Sequence, residues 1–301
     1  MGAPSRTNHR VLYMKHLLSL ILILAVLSFT NPVLAATDVK NDDTLGSALV
    51  SYWKLEESSG SRLAASSTND LTANGAPGNA AAIQGNGVDL ESGSSQYLSI
   101  ADGSQTGLDF SDVLSFACWF KFETLPSAFQ MPLITKRIGA GNNRSYFWAL
   151  DDSASVKKFN MLWYTNGSTV GGNLLSDSWS PSTATWYHIG VTKNGTSVKF
   201  YVDGAQHGAT KTGTNGTVYN GTAAFELGAF TDDPRYFDGV IDECGVWSRE
   251  LTSGEMSELY NSGTGIPYEA AAVVPTTPIG TPKHSVSGGQ TTINGSTIII
   301  Q

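Results

Sequence analysis

Between Leu49 and about Tyr268, short runs rich in Val, Ile, Phe, Tyr and Trp alternate with clusters of Gly, Asn, Asp and Ser. That texture is the spacing of an all-β sandwich. The clearest unit is WYHIGVTKNGTSVKFYVDGAQ (Trp186–Gln206). Asn194-Gly195 divides it and predicts a type I′ turn, because both residues tolerate positive φ. In the second strand Val198, Phe200 and Val202 share one face, and Lys199 and Tyr201 share the other. Asp203-Gly204 then turns the chain again. LSFACWFKF (Leu114–Phe122) sets Leu114, Phe116, Cys118, Phe120 and Phe122 against Trp119 and Lys121. Further strands are predicted at Tyr146–Leu150, Phe159–Tyr164 and Ala224–Phe230, and GVIDECGVW (Gly239–Trp247) closes the set.

After Trp247 the period changes. Thr252-Ser253-Gly254-Glu255 is a capping box, and Leu251 and Met256 bracket it as a hydrophobic staple. Met256, Leu259 and Tyr260 share one face of a short helix that Asn261-Ser262-Gly263 stops. From Glu269 the chain turns Ala/Pro/Thr-rich, the composition of an extended linker over residues 269–290. Residues 291–301, TTINGSTIIIQ, predict a short hairpin about Asn294-Gly295. At the other end, Arg6, Arg10 and Lys15 precede the apolar run Leu17–Phe29, and Val33 and Ala35 are small residues placed for cleavage. Residues 1–35 therefore read as a signal peptide and 36–48 as a linker into the domain at 49–268. The apolar run is shorter than the roughly 20 residues a membrane span needs. Export without a membrane span after cleavage, and a secreted or cell-surface location, are the expectation.

Charge narrows the partners. Setting the three basic residues of the leader aside leaves 15 Lys and Arg against 26 Asp and Glu, a net charge of −11. Such a surface repels phosphate backbones, so no nucleic-acid partner is expected. The five histidines are scattered and the two cysteines form no Cys-x-x-Cys pair, which argues against zinc. Alternation turns Cys118 toward the interior with Phe116 and Phe120, and Cys244 with Val246. If their strands are neighbours a disulfide is open to them; otherwise they are two buried thiols.

LVSYWKLEESSG, WYHIGVTKNGTSVKFYVDG and FDGVIDECGVWSRELTSGEMSELYNSG, in that order, resemble the LamG-like (concanavalin A-like, pentraxin-related) jelly-roll domains of secreted proteins. The habitual elements are Trp53-x-x-x-Glu57-x-x-Gly60, Phe116–Trp119, Tyr201-Val202-Asp203-Gly204 and Gly239-x-Ile241-Asp242-Glu243 before the capped helix. The resemblance implies an all-β fold of two antiparallel sheets, each of six or seven strands, one with a concave face. It also implies a structural calcium tying the opening loop to the last strand. The matching positions are Glu57 and Asp242, with Asn69 and Asp70 from SSTNDL, where relatives often carry a further Asp. Asp232 and Asp233 are the weaker match to a calcium-dependent rim of pentraxin-like relatives.

Catalysis has little to build on. The paired carboxylates of a glycosidase must face one sugar together, whereas Asp242 and Glu243 are adjacent and, on a regular strand, point to opposite faces. Flat aromatic rings suit sugar faces, and Trp163 and Trp148 are the first candidates, with Tyr146 and Tyr236 behind them. Trp53, Trp119 and Trp247 match core positions of the family. The resulting reading is a secreted, non-catalytic binding module for carbohydrate or another surface polymer, with structural calcium. The alternative is an adhesive surface protein that meets protein partners through the jelly roll and the C-terminal tail. A glycoside hydrolase is the third possibility.

Overall fold

Where the sequence alternates with period 2 the backbone is extended, and the strands pair into two antiparallel sheets. The computed structural model describes residues 38–269 and, further on, 285–287, 290–293 and 296–299. The expected signal peptide lies outside them. In chain order the first strands are β1 (Leu49–Trp53), β2 (Thr72–Asn74), β3 (Gly78–Ala81), β4 (Asn86–Leu90), β5 (Tyr97–Ile100) and β6 (Leu114–Phe122). Next come β7 (Gln130–Ile138), β8 (Asn143–Asp151), β9 (Lys158–Tyr164), β10 (Val170–Leu175), β11 (Trp186–Asn194) and β12 (Ser197–Val202). The last are β13 (Ala205–Gln206), β14 (Lys211–Thr212), β15 (Phe225–Leu227), β16 (Ala229–Phe230), β17 (Arg235–Tyr236) and β18 (Gly239–Trp247).

One sheet has nine strands, in the order β13-β12-β11-β6-β18-β4-β3 with β1 on β18 and β14 on β12. The other has seven, β10-β9-β8-β7-β15-β5-β2. The larger sheet exceeds six or seven strands because short edge pieces extend it. Their inner faces meet over one core that includes Phe116, Phe120, Trp148, Phe200 and Ile241. Each large apolar side chain removed from water there contributes about 1.5–3 kcal/mol. Cys118 and Cys244 are neighbours on β6 and β18 and form a disulfide inside that core.

The two outer faces differ. On the nine-stranded sheet Ala117, Tyr201 and Trp247 are covered by Met256 and Leu259 of the helix α1 (Ser253–Tyr260). The Thr252 side chain accepts from the Glu255 amide, and the Glu255 carboxylate accepts from the Thr252 amide, as the capping box predicts. Residues 38–48, expected as a linker, also pack on this face. Val39 and Leu45 are fully buried. The Val39 amide donates to the Pro267 carbonyl, and the Trp247 indole donates to the Leu45 carbonyl. Two apolar side chains in an otherwise polar stretch suffice to dock it.

Two turns test the hairpin reading. Asp203 and Gly204 both have positive φ, 49° and 76°, as a type I′ turn requires. At the other turn the structure differs from expectation. Asn194 pairs with Ser197, so Gly195 and Thr196 are central, and of these Gly195 alone has positive φ. That is the II′ arrangement, with glycine first; the Asn194 amide group is held outside the turn by Glu250. In the tail, β19 (Ser285–Ser287), β20 (Gln290–Ile293) and β21 (Ser296–Ile299) pair antiparallel. The expected hairpin is thus joined by a third strand drawn from the expected linker.

Candidate functional site

The outer face of the seven-stranded sheet carries no helix among the described residues. One cross-strand row runs Asn173, Leu162, Phe147, Thr135, Glu226, Ser99 and Thr72, each opposite the next. Beside it lie Asn160, opposite Ala149, and Tyr164 at the end of β9. Phe147, Ala149 and Leu162 pack with Phe230, which the β16–β17 pair lays against the sheet. Partly exposed rings border this floor. Tyr164 is half-buried, Phe129 is 62% exposed, and Tyr97 and Tyr236 stand 6.0 Å apart at the far side. Three buried polar atoms here have no partner in the protein: Asn160 Oδ1, Asp152 Oδ1 and Arg137 Nε. Buried polar groups are seldom left so. Glu226 is also buried, which raises its pKa, and the Thr231 hydroxyl donates to it at 2.6 Å.

Arginines ring the same floor. The Arg137 guanidinium lies 4.8 Å from the Phe230 centroid and 5.7 Å from that of Phe147. Arg235 stacks between Phe129 and Phe230, at 5.7 and 5.9 Å, and Arg144 lies 5.5 Å from Tyr164. Asp232 and Asp233, matched from sequence to a calcium rim, are committed to these cations. Asp232 accepts from Arg137 at 2.9 Å and from the Gly139 amide at 2.5 Å, and Asp233 pairs with Arg235. Both aspartates are ion-paired to guanidiniums, which opposes the calcium reading there.

Three of the four aromatic candidates are core residues. Tyr146, Trp148 and Trp163 are all 0% exposed and line the space between the sheets. The parity of β8 and β9 puts them inside and puts Phe147, Leu162 and Tyr164 outside. The Trp163 indole donates to the Asn215 carbonyl and fits over Gly172, where an added Cβ would meet the ring at 2.1 Å. Tyr236 alone of the four reaches the outer face.

A second constellation sits on the outer face of the nine-stranded sheet. Asp242 lies opposite Trp119 and Gly245 opposite Ala117, so Glu243 and Cys244 share the space opposite Cys118 in a β-bulge. Ile241 and Cys244 both face the core, which leaves Asp242 and Glu243 together on the other side. Glu243 takes a φ of 46° to make this turn. The adjacent carboxyls, expected to point apart, therefore point the same way. Both are buried, at 0% and 4% exposure, beneath the β3–β4 turn. Asp242 Oδ2 accepts from the Gln84 amide at 3.0 Å, and Glu56 Oε2 from the Asn86 amide at 2.9 Å. Burial pushes the Asp242 carboxyl up to about 8. Burial, followed by the Asp242 charge, pushes Glu243 to about 8 as well. Burial also raises the Tyr52 hydroxyl, which hydrogen-bonds Glu243.

Asp242 and Glu243 offer calcium two carboxyls, but with Glu56 they do not bring one oxygen each within 4.8 Å of one another; among the described residues the group that does is Asp89, Glu91 and Glu123. Asp242 Oδ1 and Glu243 Oε2 are buried without partners, and two close carboxyls out of water call for either protons or a cation. Carboxylate oxygens are the ligands calcium takes. The other residues expected to join Asp242 have partners of their own, although Glu57 Oε2 is buried without one. Glu57 accepts from the Leu63 amide and Asp70 from the Ala64 amide. Asn69 bridges Ser51 and Thr106. Glu56 and Glu243 are the neighbours that sequence reasoning passed over. Glu56 sits one residue from the expected ligand, and no sequence signal marks the bulge.

A two-sheet antiparallel sandwich with its last strand followed by one capped helix defines the class: a concanavalin A-like jelly roll. The chain belongs to the concanavalin A-like lectin/glucanases superfamily, whose family model matches residues 92–257. No curated protein matches its sequence. Among solved structures it is similar to domain 4 of AbnA, a GH43 extracellular arabinanase from Geobacillus stearothermophilus in complex with arabinotriose. Identity is 18% and the TM-score 0.53, over 70% of this chain and 97% of that one. The binding domain of Paraclostridial Mosquitocidal Protein 1 matches at 14% identity and TM-score 0.54, over 71% and 52%. Trypanosoma rangeli sialidase, in complex with the inhibitor DANA, matches at 16% and 0.52, over 72% of this chain but only 33% of the enzyme. These likenesses concern the fold, and the neighbours include both binding domains and glycosidases. Among the described residues no helix is long and apolar enough to cross a membrane.

Proposed function

We propose that this is a secreted, non-catalytic module that binds carbohydrate on the outer face of the seven-stranded sheet. The observation that carries the reading is the border of exposed and half-buried rings there, Phe129, Tyr164, Tyr97 and Tyr236, around an apolar floor. Ligand sites pair an apolar floor with a few polar groups in this way, and rings with a polar tip suit a surface that is apolar on one side and wet on the other. AbnA domain 4, nearly all of which this chain spans, is a sugar-bound relative in fold. The Asp242–Glu243 pair supports a structural role over a catalytic one, because burial beneath the β3–β4 turn denies a polysaccharide access. In this reading Asp242 and Glu243 hold a calcium ion beneath the β3–β4 turn. Bound calcium supplies the positive charge that these carboxyls lack.

One observation favours the adhesive alternative: among the described residues the outer strands of the tail, β19 and β21, each pair on one side only, and open edges recruit further strands.

A polysaccharide array read with the full chain separates these readings. Wild type is expected to bind at least one glycan without hydrolysing it, and Tyr164→Ala and Tyr236→Ala to lose about tenfold in affinity. Unchanged binding in both variants, or turnover of the glycan, contradicts the proposal.

A further inference from the structure

We infer that the outer face selects a saccharide carrying an isolated acidic unit, a carboxylate or sulfate ester set against Arg137, Arg144 and Arg235. This rests on the carbohydrate reading above and adds the charge of the ligand.

After residue 35 the chain has five arginines, and three of them meet here. Arg137 and Arg144 are cross-strand partners on β7 and β8, and Arg137 and Arg235 share the Phe230 ring. Two of them are ion-paired, Arg137 with Asp232 and Arg235 with Asp233. Arg144 donates to the Gly139 carbonyl and forms no ion pair with a described carboxylate. Glu226, beside Asp232, is a third carboxyl on this face, so what stands out within the acidic chain is Arg144, a guanidinium with no ion pair among the described residues. A guanidinium presents its N–H groups in a planar fork that matches carboxylate and sulfate oxygens. The aromatic faces hold these side chains in place, so little freedom is lost when an anion arrives.

The surrounding charge limits the ligand's length. The cluster offers Arg144, one guanidinium without an ion pair among the described residues, and the acidic chain around it repels a continuous polyanion. A mostly neutral glycan with one acidic residue satisfies both. Asp151 ends β8, whereas Arg144 stands near its start, so the acidic unit belongs at the Arg144 end of the strand.

The test uses the full chain and matched oligosaccharides: a neutral parent, the same parent with one uronic acid, and the same parent with one sulfate ester. Wild type is expected to prefer at least one charged member by about tenfold, the worth of one charge-assisted hydrogen bond. High salt should shrink that preference. Arg144→Gln should remove it, with the charged members falling to the affinity of the neutral parent and the melting temperature in place; Arg235→Gln should reduce it independently. A preference for uronate or for sulfate identifies which anion is read. Equal binding of all three members, or a preference that survives both substitutions, overturns the inference while the carbohydrate reading stands. Failure to bind any member on an array-positive parent scaffold overturns both.

Discussion

At Asp242–Glu243 the local rule and the tertiary outcome diverge, and the divergence has thermodynamic consequences. Folded-state values near 8 lie above the ordinary 3.8 and 4.5. The folded chain thus keeps protons that the unfolded chain releases from about pH 4 upward. In chelator, stability is therefore fullest in the acid part of that window and falls as pH rises toward about 8. Calcium should restore the loss at pH 8 by several degrees of melting temperature, and Asp242→Asn should abolish the calcium effect and shrink the pH slope to the share that burial of Glu243 keeps. A wild-type melting curve at pH 8 that ignores chelator contradicts the calcium assignment. Lys193, whose pKa burial lowers to about 8, acts in the opposite sense and above that pH, so the two windows separate. Gly172 makes a simpler prediction. Its Cα passes so close to the Trp163 ring that Gly172→Ala should cost about 1–3 kcal/mol in denaturant unfolding. Neither effect was legible in the sequence. Asp242 itself was, as an acidic position on the closing strand, but its partners depend on one unpaired residue opposite Cys118. Arg137, Arg144 and Arg235 share no motif, and only strand pairing brings them together.

Elements were far more legible than side-chain partners. The capped helix, the β11–β12 hairpin and the inward parity of Cys118 and Cys244 all follow from alternation and local chemistry. They survive because burying the apolar face of a strand leaves one register. Thr252→Ala should cost about 1 kcal/mol through the lost cap, visible as an earlier thermal transition. Replacing Cys118 and Cys244 together by alanine should lower stability by about 2–4 kcal/mol, since their bond closes a loop across 126 residues. Equal stability of the double variant and the oxidised wild type would contradict a formed disulfide. Sequence erred where period 2 does not say which face meets the core. Trp148 and Trp163 were placed on sugar because aromatic strands look alike from either side. Residues 38–48 were placed in a linker because docking by Val39 and Leu45 has no period to detect.

For the whole molecule, the division of labour lies between two outer faces. One is closed by α1 and the segment before β1, and the carboxylate nest is sealed near its edge. The other presents rings, unpartnered polar atoms and arginines on a floor built by β7, β8 and β9. The superfamily fold fixes the sandwich but not which surface is used, so the choice rests on this asymmetry. Its most direct test is amide hydrogen exchange of the full chain with and without the best-binding oligosaccharide from the array. Protection confined to β7, β8, β9 and the β16–β17 turn is the predicted result. Protection confined to the α1 side, with β7 to β9 unchanged, would contradict the account.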